Sequence, residues 1–548
     1  MIRLTRHPRA VATLLAGWCA GGAAAQAQIP PQLNPAVINR QNQQTIQQLE
    51  QLRDIPAMTG PLVSAPNQPA VQNVAPGGPS FVLKQVIFPT SALLSAEELQ
   101  ALAAPLIGQK VDLSGLYGLV AQVNARYEAK GFPNASAVLP PQHVDAGVVH
   151  IELVEGRLGK VSVEGNNYIP PAFVLDRMAL PAGEVLNVPA MSQSIAVFNR
   201  VNDIQTRAAL QPGAQFGQTD VVFNVVEPPR DTLDFSVDNW GLNSTNNNEA
   251  SFLYRRTSLL VADDRFTMYG IGNDGNLDGN VGYNLPVGNY GGRLGVNYGL
   301  MQTRVLHGPY QSLEIDGHAQ VGSVDFSHPL FANENWLVSG LLNFSVISSA
   351  NTQAGVTQTS DLTKKGGPGL LVSYLGPLTS AQITGTYAYG GTEYNTLGNS
   401  SSFNMVSGTF NLTQLLPVGL SFVVNGAWQA TSVQRLSPDQ LFQIGGPTSV
   451  RGYEADYVAG FSGFFSQFEL HKDAASITPG LDLFSFLDMG RVYAPATPEK
   501  KLMGFGFGGN YAFDRWANLQ VAAGWPLQQV APGQSPMMVY FRLVLHAM

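Results

Sequence analysis

Between residues 232 and 546 the chain repeats one pattern. Segments of about ten residues alternate apolar and polar side chains, and Gly, Asn, Asp and Pro turns divide them. Residues 293–299, 336–346, 420–428 and 539–545 are clear cases. Side chains two apart on a strand share a face, so each segment is a strand with one apolar side. Sixteen can be counted, and an even number lets an antiparallel sheet close on itself as a bacterial barrel does. A soluble sandwich or propeller would also satisfy alternation. Composition favours the membrane: 45% of residues are hydrophobic and only 12% charged, about half the usual charged share. The last segment agrees. Val539, Phe541, Leu543 and Leu545 share one face, Arg542 and His546 the other, although the chain ends in Met548 rather than an aromatic residue.

The N-terminus reads as a secretory signal peptide. Arg3, Arg6 and Arg9 form its basic region, an apolar run starts at Ala10, and Ala25-Gln26-Ala27 fits the cleavage rule, so the mature chain is expected to start at Gln28. Cys19, the only cysteine, would leave with it and take disulfides and cysteine catalysis with it. The formal charge of −8 becomes more negative when three arginines are removed, which argues against nucleic acid as a partner. No apolar run of about 18 residues follows the signal, so no spanning helix is expected.

Residues 34–54 read as a helix, with Asn34 as cap and Pro35 in the first turn. Ile38, Ile46, Leu49 and Leu52 make a thin apolar side among glutamines and asparagines. That suits a polar channel interior and a helix loose in solvent equally. Six prolines between residues 55 and 80 mark a linker that can reach roughly 75 Å.

Residues 81–154 then read as strand, helix, helix, strand, strand. Ser95 and Glu98 form a capping box, and Leu116, Leu119, Val120 and Val123 line one side of the second helix. Residues 159–227 repeat this order at a period of about 75 residues.

Two short motifs stand out in the barrel region. Val450, Arg451, Gly452 and Tyr453 lie on a long loop between the eleventh and twelfth strands, and Phe486, Asp488 and Gly490 alternate along one face of a later strand. An arginine drawn away from bulk water needs a carboxylate, and Asp488 is the expected partner, on the lumen side, with Leu487 and Met489 facing lipid. Short connections such as 376–380 and 513–516 are expected on one rim. Long ones, 348–366 and 431–460, are expected on the other.

These residues together resemble a two-partner secretion transporter of the TpsB family, the haemolysin and filamentous-haemagglutinin exporters. The repeated unit resembles the polypeptide-transport-associated (POTRA) domain. The resemblance implies α+β periplasmic domains followed by an all-β part: signal peptide 1–27, plug helix 28–54, Pro-rich linker 55–80, POTRA-like units 81–155 and 156–230, and a 16-stranded antiparallel transmembrane β-barrel at 231–548. It implies an outer-membrane location in a Gram-negative bacterium. The expected partners are one secreted β-helical protein (a cytolysin, adhesin or toxin), outer-membrane lipids and the barrel assembly machinery, with no cofactor, metal or nucleotide.

An outer-membrane assembly or insertion factor is the alternative within the superfamily; two units and a plug helix favour export. A porin would lack residues 81–227, and no nucleophile–base constellation suggests an enzyme. The eight histidines are scattered. The run Gly504-Phe505-Gly506-Phe507-Gly508-Gly509 lacks the strand–turn–helix context of a nucleotide loop and reads as room for close contact with the plug or a loop. Asp263, Asp264, Asp274 and Asp278 read as solvated turn residues. If residues 34–54 plug the lumen, their removal raises single-channel conductance in planar bilayers; unchanged conductance places the helix elsewhere.

Overall fold

The computed structural model of the chain describes residues 61–64, 77–178, 180, 184–495 and 497–547. The expected signal peptide, the helix at 28–54 and most of the linker lie outside the described residues.

The first α+β unit is built around two helices, α1 (Ala96–Ala103) and α2 (Leu113–Ala129). The Ser95 hydroxyl accepts from the Glu98 N–H at 3.2 Å, and the Glu98 carboxylate accepts from the Ser95 N–H at 3.0 Å, closing the capping box. Asp112 caps α2 through the Gly115 N–H at 3.0 Å. Lys130 and Arg126 each lie 2.7 Å from Glu98 and tie the end of α2 to the start of α1. The Lys130 ammonium, the Ser95 N–H and Arg126 hold the Glu98 carboxyl down at about 2. Leu116, Leu119, Val120 and Val123 do point inward, packed with Leu83, Val86, Leu99, Tyr127 and Val149. The strands are more broken than their apolar pattern predicts. The first splits into Phe81–Val82, paired with Lys110–Val111, and Gln85–Ile87, paired in parallel with Val148–His150. The chain changes partners at Leu83 and Lys84, whose N–H groups turn to Gln109 and Gly147.

The second unit repeats the order with strand Arg157–Glu164, helices α3 (Pro171–Leu175) and α4 (Val188–Val201), and strands Gln205–Pro212 and Gln218–Val226. Its core gathers Val174, Met191, Ile195, Phe198, Leu210 and Phe223.

The remainder is a closed antiparallel barrel of sixteen strands. In order they are β1 (Asp231–Asp238), β2 (Glu249–Thr257), β3 (Arg265–Gly272), β4 (Asn276–Val287), β5 (Gly292–Arg304), β6 (Ile315–Ala332), β7 (Trp336–Gln353) and β8 (Val356–Leu375). There follow β9 (Thr379–Tyr394), β10 (Asn399–Leu416), β11 (Leu420–Ala430), β12 (Ser462–Asp473), β13 (Leu481–Tyr493), β14 (Lys500–Phe513), β15 (Ala517–Pro526) and β16 (Met538–His546). Closure comes where β1 meets β16 through five residue pairs, from Asp234 opposite His546 to Asp238 opposite Arg542. A closed sheet leaves no edge whose N–H and C=O groups face hydrocarbon. Among the described residues no helix is long and apolar enough to cross a membrane. The outward side chains form the apolar band: Val539, Phe541 and Leu545 are exposed on β16, while Tyr540, Arg542 and Val544 between them are buried.

Two expectations fail here. The connection expected at 348–366 is not a long loop: β7 and β8 run on through it and meet at a tight turn where Ala354 and Gly355 both take positive φ. Its Thr, Ser and Asn residues belong to strands that reach past the apolar band. The aspartates at 263, 264 and 278 are not solvated but buried. Asp264 accepts backbone N–H groups of Leu259, Leu260 and Val261 at 2.6, 2.7 and 2.7 Å, so it builds the β2–β3 turn. Asp263 pairs with Arg293.

The second unit sits on the rim that carries the short turns. Asp203, after α4, pairs with Arg265 at the start of β3. Arg177 donates to the Gly288 carbonyl at 3.2 Å, Gln193 to that of Ala332 at 3.0 Å, and Arg200 to the Ser373 hydroxyl at 3.2 Å. Each is a polar contact to a turn or strand end, and apolar contact accompanies them: Ala262 of the β2–β3 turn packs against the core of the second unit, and a Cβ on Gly291 would stand 2.5 Å from Val201.

The first unit and the barrel have separate cores, so their stabilities separate. Truncating fully buried Leu119 to Ala costs the first unit about 2–5 kcal/mol. Urea-dependent proteolysis of the full chain then cuts the first unit at lower urea while the barrel keeps its heat-modifiable mobility; simultaneous loss of both means the two are one cooperative body.

Candidate functional site

The 31 residues between β11 and β12, 431–461, do not extend away from the barrel. They fold against its inner wall. A short hairpin, Phe442–Ile444 with Val458–Gly460, gives the loop its own stem. Beyond the stem Gly445 and Gly446 take φ of +125° and +84°, and the Ser449 hydroxyl accepts the Gly445 N–H at 2.8 Å. This turn presents Val450, Arg451, Gly452 and Tyr453 to the wall formed by β12 to β16.

Arg451 is the centre of the arrangement. Its Nε donates to Asp488 Oδ2 at 2.7 Å and its Nη2 to Oδ1 at 2.8 Å, a bidentate fork. Its own backbone N–H adds a third bond to Oδ2 at 2.9 Å. Nη1 donates to Glu469 on β12. The guanidinium lies 3.6 Å from the centroid of the Phe486 ring, a cation–π contact. Arg451 is 5% exposed and Asp488 0%, so two buried charges satisfy one another.

The other motif residues converge on the same point. Val450 packs with Ile444, Tyr453, Val492 and Leu502. The Gly452 N–H donates to the Tyr540 hydroxyl at 2.9 Å, and that hydroxyl donates to the Tyr453 carbonyl at 2.7 Å, which ties the loop to β16. The Tyr453 hydroxyl lies 2.9 Å from the carbonyls of Met503 and Gln528. Phe486, Asp488 and Gly490 all face inward, whereas Leu487 faces out.

Glycine supplies the space. A Cβ on Gly504 would stand 1.9 Å from the Arg451 carbonyl oxygen, and one on Gly490 would stand 2.9 Å from Ile444. Side chains at Gly506 and Gly508 would strike the Phe486 and Phe484 rings. The glycine run on β14 is the imprint of the loop and of the two aromatic rings beneath the guanidinium.

The sequence did not point to Glu469, His471, Asp482 or Tyr540. His471 bridges Glu469 Oε2 at 2.9 Å and Asp482 Oδ2 at 2.6 Å and stacks on Phe484. Glu469 could have been found by parity: Gln467, Glu469 and His471 alternate with Phe468 and Leu470. Its pairing opposite Phe486 follows only from the β12–β13 register. Nearby, Arg542 repeats the theme, bonding Asp238 at 2.9 Å while lying 3.4 Å from the Trp240 ring. Among the described residues there is no cluster of His, Cys, Asp and Glu suited to a metal ion. The site is a clamp that holds a loop, made of charge pairs and close backbone contact.

A family profile described as "Haemolysin secretion/activation protein ShlB/FhaC/HecB" matches residues 217–511. The chain belongs to that family. A second profile, "POTRA domain, ShlB-type", matches residues 81–156. The outer membrane transporter CdiB of Dickeya dadantii is 26% identical over 91% of this chain and 92% of its own length. The heme/hemopexin transporter protein HuxB of Haemophilus influenzae is 23% identical over 69% of this chain and 70% of its own. In fold, the structure of CdiB from Escherichia coli covers 93% of this chain and 98% of its own, with a TM-score of 0.66 at 20% identity. The transporter is therefore an outer-membrane protein of the two-partner secretion type, with its POTRA region in the periplasm.

Removing either partner of the buried pair typically costs about 3–5 kcal/mol. Arg451→Ala and Asp488→Ala each release the loop, read as faster proteolysis within 431–461, while the barrel stays assembled. In a double-mutant cycle the losses are non-additive; simple additivity would mean the pair contributes no coupling. Arg451→Lys is also defective, because an ammonium cannot fill the fork.

Proposed function

We propose that the transporter accepts one secreted, β-helical partner as an extended chain on its periplasmic POTRA units and passes it through the barrel lumen, with loop 431–461 held inside the lumen by Arg451 as part of the conduit. The observation that carries this reading is the loop itself. A barrel that only admitted small solutes would have no need for a buried ion cluster that anchors a 31-residue loop to β12 and β13. Val450, Arg451, Gly452 and Tyr453 act as the anchor, and Phe486, Asp488 and Gly490 act as its seat.

The POTRA units offer sheet edges to an unfolded chain. Pairing there uses main-chain hydrogen bonds and tolerates many sequences. Folding of the β-rich partner outside the cell gives the direction, so no nucleotide is consumed. Cytolysins, adhesins and toxins built as β-helices fit this route. Outer-membrane lipids and the barrel assembly machinery are the partners of the barrel itself.

Deleting residues 81–227 abolishes secretion of the exported partner while the barrel still inserts. Secretion that survives the deletion refutes recognition by these units.

A further inference from the structure

Beyond Glu469 the inner wall carries two more titratable groups, His471 and Asp482, to which the latch on Arg451 assigns no role. Glu469 and His471 are two apart on β12 and share its inward face. The β12–β13 register sets Glu469 opposite Phe486 and His471 opposite Phe484. His471 Nε2 lies 2.9 Å from Glu469 Oε2, and its Nδ1 lies 2.6 Å from Asp482 Oδ2. The other Glu469 oxygen, Oε1, accepts from Arg451 Nη1. Asp482 Oδ2 also accepts from the Asn510 amide of β14, at 3.1 Å. A chain of polar groups thus runs from the loop tip through β12 to β13 and β14. It leads toward the β12–β13 turn, on the rim that carries the second unit.

The count of donors decides the charge on the ring. An ionised carboxylate offers only acceptors, and a neutral imidazole has one N–H and one bare nitrogen. A neutral ring here would set a nitrogen lone pair against a carboxylate lone pair at hydrogen-bond distance. Two donors are needed, and the imidazolium has two. The surroundings match. Asp488 and Glu469 pair with Arg451, and Glu469 and Asp482 pair with His471, so three carboxylates meet one guanidinium and one imidazole. Phe484 stacks on the imidazole at 5.1 Å between centroids and lies 5.9 Å from the Arg451 guanidinium. An aromatic face favours a cation. The His471 and Glu469 side chains are largely buried, so little water reaches an unmatched lone pair between them.

We propose that His471 is a positioning residue of the export machinery: an imidazolium clamped between Glu469 and Asp482, it aims Glu469 at Arg451 and so sets how firmly loop 431–461 is held in the lumen. The inference rests on the reading that the held loop is part of the conduit. Asp488 grips Arg451 with a two-pronged fork, whereas Glu469 is met by a single nitrogen. A glutamate side chain has several rotatable bonds, and it keeps that one contact while its second oxygen is pinned by His471. Without the charge on the ring, Glu469 and Asp488 share one cation, and their mutual repulsion turns Glu469 away. His471 therefore acts on the loop through Glu469, and Asp482 with Asn510 holds His471 in turn.

The test uses the full chain in lipid nanodiscs and needs no exported partner. Nitrogen-15 spectra of histidine-labelled protein are recorded at neutral pH, and the signal lost in His471→Gln or His471→Lys identifies His471 among the eight histidines. Both of its ring nitrogens carry protons; one bare nitrogen overturns the proposal. Proteolysis within 431–461 reads the hold on the loop, and heat-modifiable mobility reports that each barrel is intact. His471→Gln speeds cleavage about ten-fold, the equivalent of one hydrogen bond to a charged group. His471→Lys, which keeps a cation with several donors, restores most of the protection. In a Glu469→Gln background His471→Gln adds nothing further, because the carboxylate it positions is gone. An undiminished effect in that background, or no rescue by lysine, makes the ring a mere piece of wall and overturns the proposal. Arg451→Ala separates this inference from the reading beneath it. If Arg451→Ala leaves cleavage unchanged, the held loop itself fails; if it speeds cleavage while His471→Gln does not, only the role of His471 falls.

Discussion

An arginine side chain carried into a protein-lined lumen has to find its hydration replaced there, and this requirement organises the barrel interior. Arg451 finds two oxygens of Asp488 and one of Glu469, with a phenylalanine ring under the guanidinium plane. Desolvating such charges is costly unless geometry and further hydrogen bonds compensate. The bidentate fork and the bond from the Arg451 backbone N–H supply that compensation. Because the acceptors sit on β12 and β13 while the arginine sits on the loop between β11 and β12, satisfying the charge fixes where the loop lies. The pair thus acts as a latch: a few strong, directional contacts at the tip of a long segment that also packs Phe442, Ile444, Val450 and Tyr453 against the wall.

Around the latch the wall is shaped by what is missing from it. The Arg451 carbonyl oxygen occupies the place where a side chain at position 504 would be, and Ile444 and Val450 press on Gly490. Tyrosines do the reverse and bridge wall and loop, Tyr540 from the wall to Gly452 and Tyr453 from the loop to Met503 and Gln528. Such contacts are intolerant of added volume, because a packed interior cannot absorb even a methyl group without displacing its neighbours. The β1–β16 closure has a smaller version of the same device in Asp238, Arg542 and Trp240.

The periplasmic side is built differently. The second unit touches the barrel rim through polar contacts from Arg177, Gln193, Arg200 and Asp203 and through the packing of Ala262 against its core. The one ion pair among them, Arg265 with Asp203, is partly buried. The transporter therefore joins an interior latched by buried charges to a periplasmic unit held at the rim by mixed polar and apolar contacts.

Much of this was written in the local pattern. Alternation with a period of two specified sixteen strands, because a one-residue slip would turn every apolar side chain into the lumen. Ser95 with Glu98 marked a helix start because unsatisfied N–H groups there must meet a nearby acceptor. Asp488 as partner of Arg451 followed from charge compensation alone. Other features depended on register and long-range contact. Glu469 joins the site because β12 lies one step from β13. The glycines of β14 acquire a purpose only when the loop lies on them. Asp263 and Asp264, which look like ordinary turn carboxylates, are buried because Arg293 and three backbone N–H groups converge on them. The extended segment 348–366 became strand because its neighbours in the sheet were long enough to pair with it. The sequence by itself determined the periodicities, the caps and the need for a counter-charge, since these are set by neighbours along the chain. Only the tertiary structure decided which wall residues meet the loop, since that depends on surfaces assembled from segments far apart in the chain.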